Sequence, residues 1–273
     1  MQPLFIESSV GKLFAIYWPP VGKPYFDKAI IHIPAFAEEM NKSRRMVALQ
    51  AQAFSDLGYA VLVLDLFGTG DSTGDFGEAT WEIWLQNIDA GIDWLKQQGA
   101  QSVDLWGLRI GALLAMDFSS RKRHRIQHLI AWQPVLNGDV FITQFLRLRV
   151  TAAMMNKHAS REKVSDIKQQ LLEGRAIEVA GYLLNSDLIK PLMALHADRL
   201  DWQTVNEVAI FEVAPGEDNP GVIGNTQLLV ILQERNINAS LIKVVDDAFW
   251  SSQETCEASD LIKASCDKVK QWL

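Results

Sequence analysis

This chain has no long hydrophobic run, no net positive charge and only two cysteines, and each of these features excludes a class of protein. No stretch of about 18 apolar residues is present, so we expect no transmembrane helix. The net charge of −7 argues against nucleic acid or an anionic membrane surface as a partner. The first residues lack a basic segment followed by a long apolar stretch, so we expect no secretory signal. The resulting prediction is a cytoplasmic protein.

The few cysteines and histidines also limit the possible chemistry. Cys256 and Cys266 fall in the segment predicted to form the last helix. On a helix that rises 1.5 Å per residue they would lie about 15 Å apart, which is too far for a disulfide. No His or Asp spacing supports a dedicated metal site. We therefore expect neither a metal nor a cofactor.

Short apolar runs alternate with amphipathic segments along most of the 273 residues, a pattern typical of a mostly parallel sheet flanked by helices. The length fits one large α/β domain, with or without an inserted cap. Predicted strands span residues 29–33, 59–64, 102–106, 128–132, 208–213 and 240–245, with 13–17 opening the sheet as an antiparallel edge. Predicted helices span residues 44–57, 81–97, 110–120, 224–234 and 257–273.

The alternation stops between residues 137 and 202. Helix-compatible stretches at 140–155, 160–173 and 176–188 follow one another there without an obvious strand. We predict a core made of residues 1–136 and 203–273, with residues 137–202 as a helical cap insertion. Apolar side chains such as Phe141 and Phe145 either pack this cap onto the core or face a ligand.

Residues 107–111 read Gly-Leu-Arg-Ile-Gly and lie between a predicted strand and a helix rich in small residues. A strand, a Gly-x-X-x-Gly turn and a helix form the nucleophile elbow of α/β-hydrolases, in which the central residue is normally serine. The centre here is Arg109, whose guanidinium stays protonated and cannot be the acyl-accepting nucleophile. The pattern predicts an α/β-hydrolase fold whose elbow lacks the usual nucleophile.

Two further loops support the same fold. Residues 65–72 form an Asp-x-x-Gly-x-Gly-x-Ser loop after an apolar strand, and its glycines permit a tight backbone path. The strand that contains His32 occupies the place where hydrolases of this fold have a His-Gly loop with one oxyanion-hole amide. Pro34 stands in this loop and has no N–H. A second amide is available at Ile110, the residue after the elbow centre.

The other two triad positions are expected after the last two strands. An acid is available after the first of them, at Glu217 or Asp218. After the second, where a histidine belongs, the chain reads Asp-Asp-Ala-Phe-Trp at residues 246–250. Loss of both nucleophile and base removes the proton relay of hydrolysis. Ser72, the nearest spare serine, is predicted to serve as a turn hydroxyl. The histidines of the chain are His32, His124, His128, His158 and His196.

Three segments are similar to the exosortase A system-associated hydrolase 2 group. Residues 36–46 read Phe-Ala-Glu-Glu-Met-Asn-Lys-Ser-Arg-Arg-Met, residues 65–77 contain the glycine-rich loop, and residues 106–112 contain the elbow. The closing Phe249 and Trp250 also fit this group, and the resemblance covers essentially the whole chain. It implies an α/β-hydrolase fold and a bacterial setting alongside exopolysaccharide production and exosortase protein sorting. It implies no substrate, because a fold does not establish a reaction.

Arg109 admits two interpretations. It binds an anionic group together with the amides at the start of the following helix, since a guanidinium fork suits carboxylates and phosphates. Alternatively, it forms an internal ion pair, because a buried arginine needs a partner. The acidic residues expected to converge on the elbow are Glu38, Glu39, Glu217, Asp218, Asp246 and Asp247.

Two neighbouring segments leave similar alternatives. The charged residues 38–45 precede a helix for which Asn41 is a possible N-cap, and they form either surface pairs or a charged pocket wall. Glu38 and Glu39 are the expected pocket members. Phe249 and Trp250 either pack in the core or stack on a sugar.

The sequence thus predicts an α/β-hydrolase-fold accessory protein without Ser-His-Asp hydrolysis that binds a small, anionic or sugar-linked ligand. A hydrolase of esterase or deacylase type with a non-standard nucleophile is the alternative, and a protein-interaction scaffold is a third. A pathway protein is a further expected partner. The candidate ligand-binding residues are Arg109, Ile110, His32, Phe36, Glu38, Glu39, Asp218, Asp247, Phe249 and Trp250.

Overall fold

The computed structural model describes residues 1–23, 25–155, 162–202, 205–216, 221–254 and 256–273. Its strands are β1 (Gln2–Ser8), β2 (Gly11–Trp18), β3 (Lys28–Ile33), β4 (Ala60–Leu64), β5 (Ser102–Leu108), β6 (Ile126–Trp132), β7 (Ile177–Val179), β8 (Tyr182–Leu184), β9 (Val205–Ala214) and β10 (Asn238–Val245). Its helices are α1 (Glu38–Asp56), α2 (Trp81–Gln97), α3 (Ile110–Ser120), α4 (Gly138–Met155), α5 (Val164–Leu172), α6 (Ser186–Ala194), α7 (Ile223–Glu234) and α8 (Ser259–Lys270).

The central sheet has the strand order β1-β2-β4-β3-β5-β6-β9-β10. The pairs β1–β2 and β2–β4 are antiparallel, and the pairs from β4 to β10 are parallel. The inner strands read as continuous apolar runs because helices cover both of their faces. The predicted mostly parallel sheet flanked by helices is confirmed.

The core lies in two layers, one on each side of this sheet. Helices α1 and α8 pack on one face, where Phe54, Trp106 and Trp132 are buried. Helices α2, α3 and α7 pack on the other face, together with the segment between β6 and β9. Local signals place these helices. For example, the Thr80 side chain accepts a hydrogen bond from the Ile83 amide at the start of α2.

The prediction of helix at residues 176–188 is wrong. Residues 177–184 form the β7–β8 antiparallel hairpin, and α6 begins only at Ser186. Ala180 and Gly181 join the two strands, and both have positive φ angles, of 50° and 85°. A two-residue turn with positive φ at both positions matches the twist of a hairpin, which decides against helix here. The boundaries of the cap at residues 137–202 remain a prediction.

Two element starts also differ from expectation. Strand β1 precedes residues 13–17 and takes the edge of the sheet, a position where Pro3 is tolerated. Helix α1 begins at Glu38, so Asn41 lies in its first turn and is not its N-cap. The N-cap is Ala37, with φ 53° and ψ −127°.

The two cysteines do not share the last helix, contrary to the prediction from the sequence. Cys256 precedes α8, whereas Cys266 lies within it, and both cysteines are free.

Among the described residues, no helix combines the length and the apolar character that crossing a bilayer requires.

Candidate functional site

The turn between β5 and α3 has the geometry of a nucleophile elbow. Arg109, at its centre, has φ 56° and ψ −115°, a conformation that costs a residue with a Cβ roughly 1–3 kcal/mol. Its amide donates to the Trp132 carbonyl at 3.0 Å, and its carbonyl accepts from the Val135 amide at 3.2 Å. These bonds hold Arg109 above the carboxyl ends of the parallel strands.

The glycines on either side of Arg109 are required by close backbone packing. A Cβ on Gly107 would lie 2.5 Å from the Ala112 backbone. A Cβ on Gly111 would lie 2.2 Å from the Ile33 carbonyl oxygen and 2.4 Å from the Pro34 carbonyl oxygen. The elbow therefore seats the first turn of α3 against the end of β3.

The Arg109 side chain is held between a carboxylate and an aromatic ring. Its Nε donates to Glu39 Oε1 at 3.3 Å, and its Nη1 lies 3.5 Å from the Gln133 carbonyl oxygen. The guanidinium carbon is 5.6 Å from the centre of the Trp250 ring, within cation–π range. The side chain keeps 20% of its surface exposed. Of the two interpretations of Arg109, the ion pair is present, and access to solvent is retained.

Glu39 is an incompletely satisfied partner. Its side chain is 23% exposed, and its Oε2 atom is buried without a hydrogen-bond partner among the described residues. Burial raises the pKa of the Glu39 carboxyl, and the charge and hydrogen bond of Arg109 oppose this shift. The carboxylate is therefore held in a site that disfavours its charge. The neighbouring Glu38 is exposed instead. It accepts a hydrogen bond from Asn41 within α1 and another from Tyr182, which links α1 to β8.

The other predicted residues are distributed around the elbow with different roles. Ile110 is buried at the first position of α3. Phe36 is buried in an aromatic cluster with Phe141 and Phe145, whose ring centres are 5.6 and 5.2 Å away. Phe249 is buried against the Trp132 and Trp250 rings. Both rings are thus packed in the core, and contact of Phe36 or Phe249 with a ligand stays a prediction.

The acidic loop residues do not join the Arg109 site. Asp247 is exposed on the loop after β10. Asp246 accepts a hydrogen bond from the Leu261 amide at 2.8 Å, which fixes this loop to α8. Glu217 and Asp218 lie outside the described residues, so the predicted position of the acid stays a prediction.

His32 belongs to a different place from Arg109. It lies on the sheet face covered by α1, where its ring centre is 4.2 Å from that of Trp106. It lines a cavity of about 330 Å³ between α1, β2 and β4. Grouping His32 with the elbow residues was wrong, because alternate residues of a strand point to opposite faces of the sheet.

The remaining described histidines form local pairs. His124 contacts Asp89, His128 contacts Asp104, and His196 contacts Asn137. His158 lies outside the described residues. Ser72 donates to the Asp65 carbonyl at 2.7 Å and accepts from the Phe14 amide at 2.8 Å, in the turn role predicted for it. In the part of the chain that the structure describes, no group of three or more His, Cys, Asp or Glu side chains is arranged to hold a metal ion.

Sequence reasoning missed Gln133 at this site. Its φ is 39°, its amide donates to the Phe211 carbonyl, and its Oε1 accepts from the Val213 amide at 2.7 Å. This positions its own carbonyl near Arg109. The only local signal is a polar residue directly after an apolar strand, which does not distinguish it from an ordinary loop residue.

Comparison with known proteins extends these observations. Residues 27–194 match the family Hydrolase_4, described as serine aminopeptidase, S33. An uncharacterised protein of Rickettsia prowazekii is 34% identical over 141 residues, which cover 50% of this chain and 57% of that protein. An uncharacterised 31.7 kDa protein of Escherichia coli is 28% identical over 120 residues, which cover 41% of each. The chain thus spans about half the length of the curated relatives it matches.

Several solved structures resemble this chain over nearly its whole length. Est1E from Butyrivibrio proteoclasticus with bound ferulic acid has a TM-score of 0.66 at 18% identity, covering 98% of this chain and 97% of that chain. XC6422 from Xanthomonas campestris, described as an α/β serine hydrolase without lid, has a TM-score of 0.61 at 17% identity, covering 100% and 94%. At such identities the likeness concerns the fold alone. The predicted α/β-hydrolase fold is confirmed.

Proposed function

The chain belongs to the serine aminopeptidase S33 family, and from that premise we propose that it has kept the α/β-hydrolase fold without Ser-His-Asp hydrolysis and binds a small anionic ligand at Arg109. The observation that carries the proposal is the position of Arg109 at the elbow centre, partly exposed and held by a single carboxylate oxygen. A guanidinium presents five N–H donors, so donors remain for an incoming carboxylate or phosphate. The start of α3 adds a partial positive charge beside it.

The absence of hydrolysis follows from the proton relay that a serine hydrolase needs. Arg109 occupies the nucleophile position and does not give up its proton at ordinary pH. The loop after β10 carries Ala248, Phe249 and Trp250 where a general base belongs. Without nucleophile and base, an oxyanion hole and binding alone supply about 10³–10⁴-fold acceleration over water. The Trp250 ring instead contacts the cation that replaces the nucleophile.

The resemblance to exosortase-associated hydrolases supports a role as an accessory protein near exopolysaccharide synthesis in the cytoplasm. In that setting the anion is the carboxylate or phosphate of a sugar-linked molecule, and a protein of the same pathway is a further partner.

The proposal is tested by isothermal titration with D-glucuronate and with inorganic phosphate as probes. We expect saturable binding of at least one of them, lost in R109A and weakened in R109K, because an ammonium does not reproduce the bidentate fork. Unchanged affinity in R109A would overturn the proposal. Circular dichroism and thermal unfolding of each variant control for folding.

An esterase or deacylase with a non-standard nucleophile is the second candidate, favoured by the family match itself. Reaction with a fluorophosphonate probe and hydrolysis of short 4-nitrophenyl esters distinguish the two. Labelling of a serine that is lost in the matching alanine variant would establish the enzyme and refute the binding protein.

A further inference from the structure

The cavity lined by His32 lies on the other side of the sheet from α3. It has a volume of about 330 Å³ between α1 and the strands β2 and β4, and it opens to solvent. Its walls are mainly apolar and include Trp18, Val47 and Val63. This volume is at the lower end of the range for small-molecule sites. The cavity is therefore suited to a compact apolar molecule.

Three buried polar residues interrupt this apolar lining, namely His32, Ser43 and Asp65. Ser43 donates to the Glu39 carbonyl and Asp65 accepts from Arg44, so both have partners. His32 is 2% exposed, and its Nδ1 atom has no hydrogen-bond partner among the described residues. Burial lowers the pKa of His32 to about 3, so the imidazole is neutral at physiological pH. Buried polar atoms are nearly always paired, and leaving one unpaired is unfavourable. The imidazole interacts with the Trp106 backbone, but its Nδ1 atom stays unpaired beside an apolar cavity. This nitrogen thus points to a ligand that supplies the missing hydrogen bond.

The two arginines that line the cavity already have carboxylate partners. Arg44 donates to both oxygens of Asp65, at 3.3 and 3.2 Å. Arg45 donates twice to Glu257 Oε1. Each cation is paired with one anion, so these residues give the cavity no surplus charge with which to attract an acid. The occupant that fits is uncharged.

We propose that this cavity binds a small, uncharged, apolar molecule that carries a hydroxyl group, of the alkylphenol or medium-chain alcohol class, with the hydroxyl bonded to His32. A hydroxyl can both donate and accept, so it satisfies the imidazole nitrogen in either tautomer. The apolar body fills the space beside Trp18 and Val47. This site is separate from the anion site at Arg109, and it does not depend on the function proposed above.

The test uses three probes of similar shape in isothermal titrations of the intact chain. We expect 4-ethylphenol to bind. Ethylbenzene, which lacks only the hydroxyl, should have an affinity lower by a factor of about ten or more. The anion 4-ethylbenzoate should also bind more weakly than 4-ethylphenol. Equal binding of 4-ethylphenol and ethylbenzene, tighter binding of 4-ethylbenzoate, or no binding of 4-ethylphenol would overturn the proposal.

Three variants locate the bound molecule, each checked for folding by thermal unfolding. H32F should remove the preference for 4-ethylphenol over ethylbenzene, and A48F should abolish binding of both by filling the cavity. R109A should leave the 4-ethylphenol affinity within about twofold. Loss of 4-ethylphenol binding in R109A, or its persistence in A48F, would place the molecule elsewhere and refute the assignment. Because the comparison of probes uses the unmodified chain, the proposal stays testable if a variant does not fold.

Discussion

Replacing Glu39 by glutamine tests whether Glu39 competes with an incoming anion for Arg109. In the structure Glu39 Oε1 accepts one hydrogen bond from Arg109 Nε at 3.3 Å, while Oε2 is buried without a partner in the described part of the chain. An anion that binds Arg109 competes with this resident carboxylate. E39Q removes the competing charge but keeps the size and shape of the side chain, so it should strengthen anion binding.

The magnitude follows from the contact that the ligand must displace. A hydrogen bond to a charged group contributes about 1.5–3 kcal/mol in proteins. A bond of 3.3 Å between partly exposed side chains belongs at the lower end of that range. With 1.4 kcal/mol for each factor of ten, E39Q should raise the affinity for an anion about tenfold to thirtyfold.

The assay is isothermal titration of D-glucuronate into the wild type, E39Q and E38Q at pH 7.5. Glu38 is the matched control, because E38Q makes the same change in charge one residue away, where the side chain is exposed and contacts Tyr182. E38Q should leave the affinity within about twofold. Equal affinities in E39Q and the wild type would refute the competition between Glu39 and the ligand.

The pH dependence gives a second readout of the same variant. Burial raises the pKa of the Glu39 carboxyl, so the folded state binds this proton more tightly than the unfolded chain does. The contribution of the Glu39 carboxyl to the stability of the fold is greatest below the pKa it has in the unfolded chain, about 4.3. This contribution is lost as the pH rises through the higher pKa of the folded state. Wild-type affinity for glucuronate should therefore rise as pH falls from 7.5 towards 5.5, whereas that of E39Q should not. E39Q should also unfold at a temperature no lower than the wild type at pH 7.

Three further predictions concern the elbow and the carboxyl terminus. R109S should gain neither fluorophosphonate labelling nor 4-nitrophenyl acetate hydrolysis, because the loop after β10 carries Phe249 and Trp250 without an imidazole; labelling at position 109 would contradict this. G111A should lower the free energy of unfolding in urea by about 2–3 kcal/mol, since its Cβ would lie 2.2 Å from the Ile33 carbonyl oxygen. The control G216A, whose Cβ would have no neighbour within 4 Å among the described residues, should change it by less than about 0.5 kcal/mol. W272A should lower the free energy of unfolding by about 3 kcal/mol in the same assay, because the buried Trp272 ring stacks on His128 at 4.2 Å. The control L273A, at a position that is 56% exposed, should leave it nearly unchanged.

Local patterns sufficed for most of the fold. The predicted helices 81–97 and 110–120 coincide with α2 and α3, because apolar periodicity and a capping Thr80 are properties of neighbouring residues. Gly58 and Gly99, which follow α1 and α2, both have positive φ, as is common for a glycine after the end of a helix. Local patterns did not predict the hairpin at residues 177–184, because its short strands are stabilised by pairing with each other and by contacts with α4 and α5.

The sequence by itself determined the elbow. Two glycines with three residues between them specify a strand–turn–helix, and Arg109 at the centre excludes a serine nucleophile there. Only the tertiary structure decided what surrounds Arg109. Glu39 is 70 positions away in sequence and Trp250 comes from the loop after the last strand, and the order of strands in the sheet brings both to the same edge. It likewise placed His32 in a cavity of its own, because the face to which a strand residue points is settled only when helices pack on the sheet.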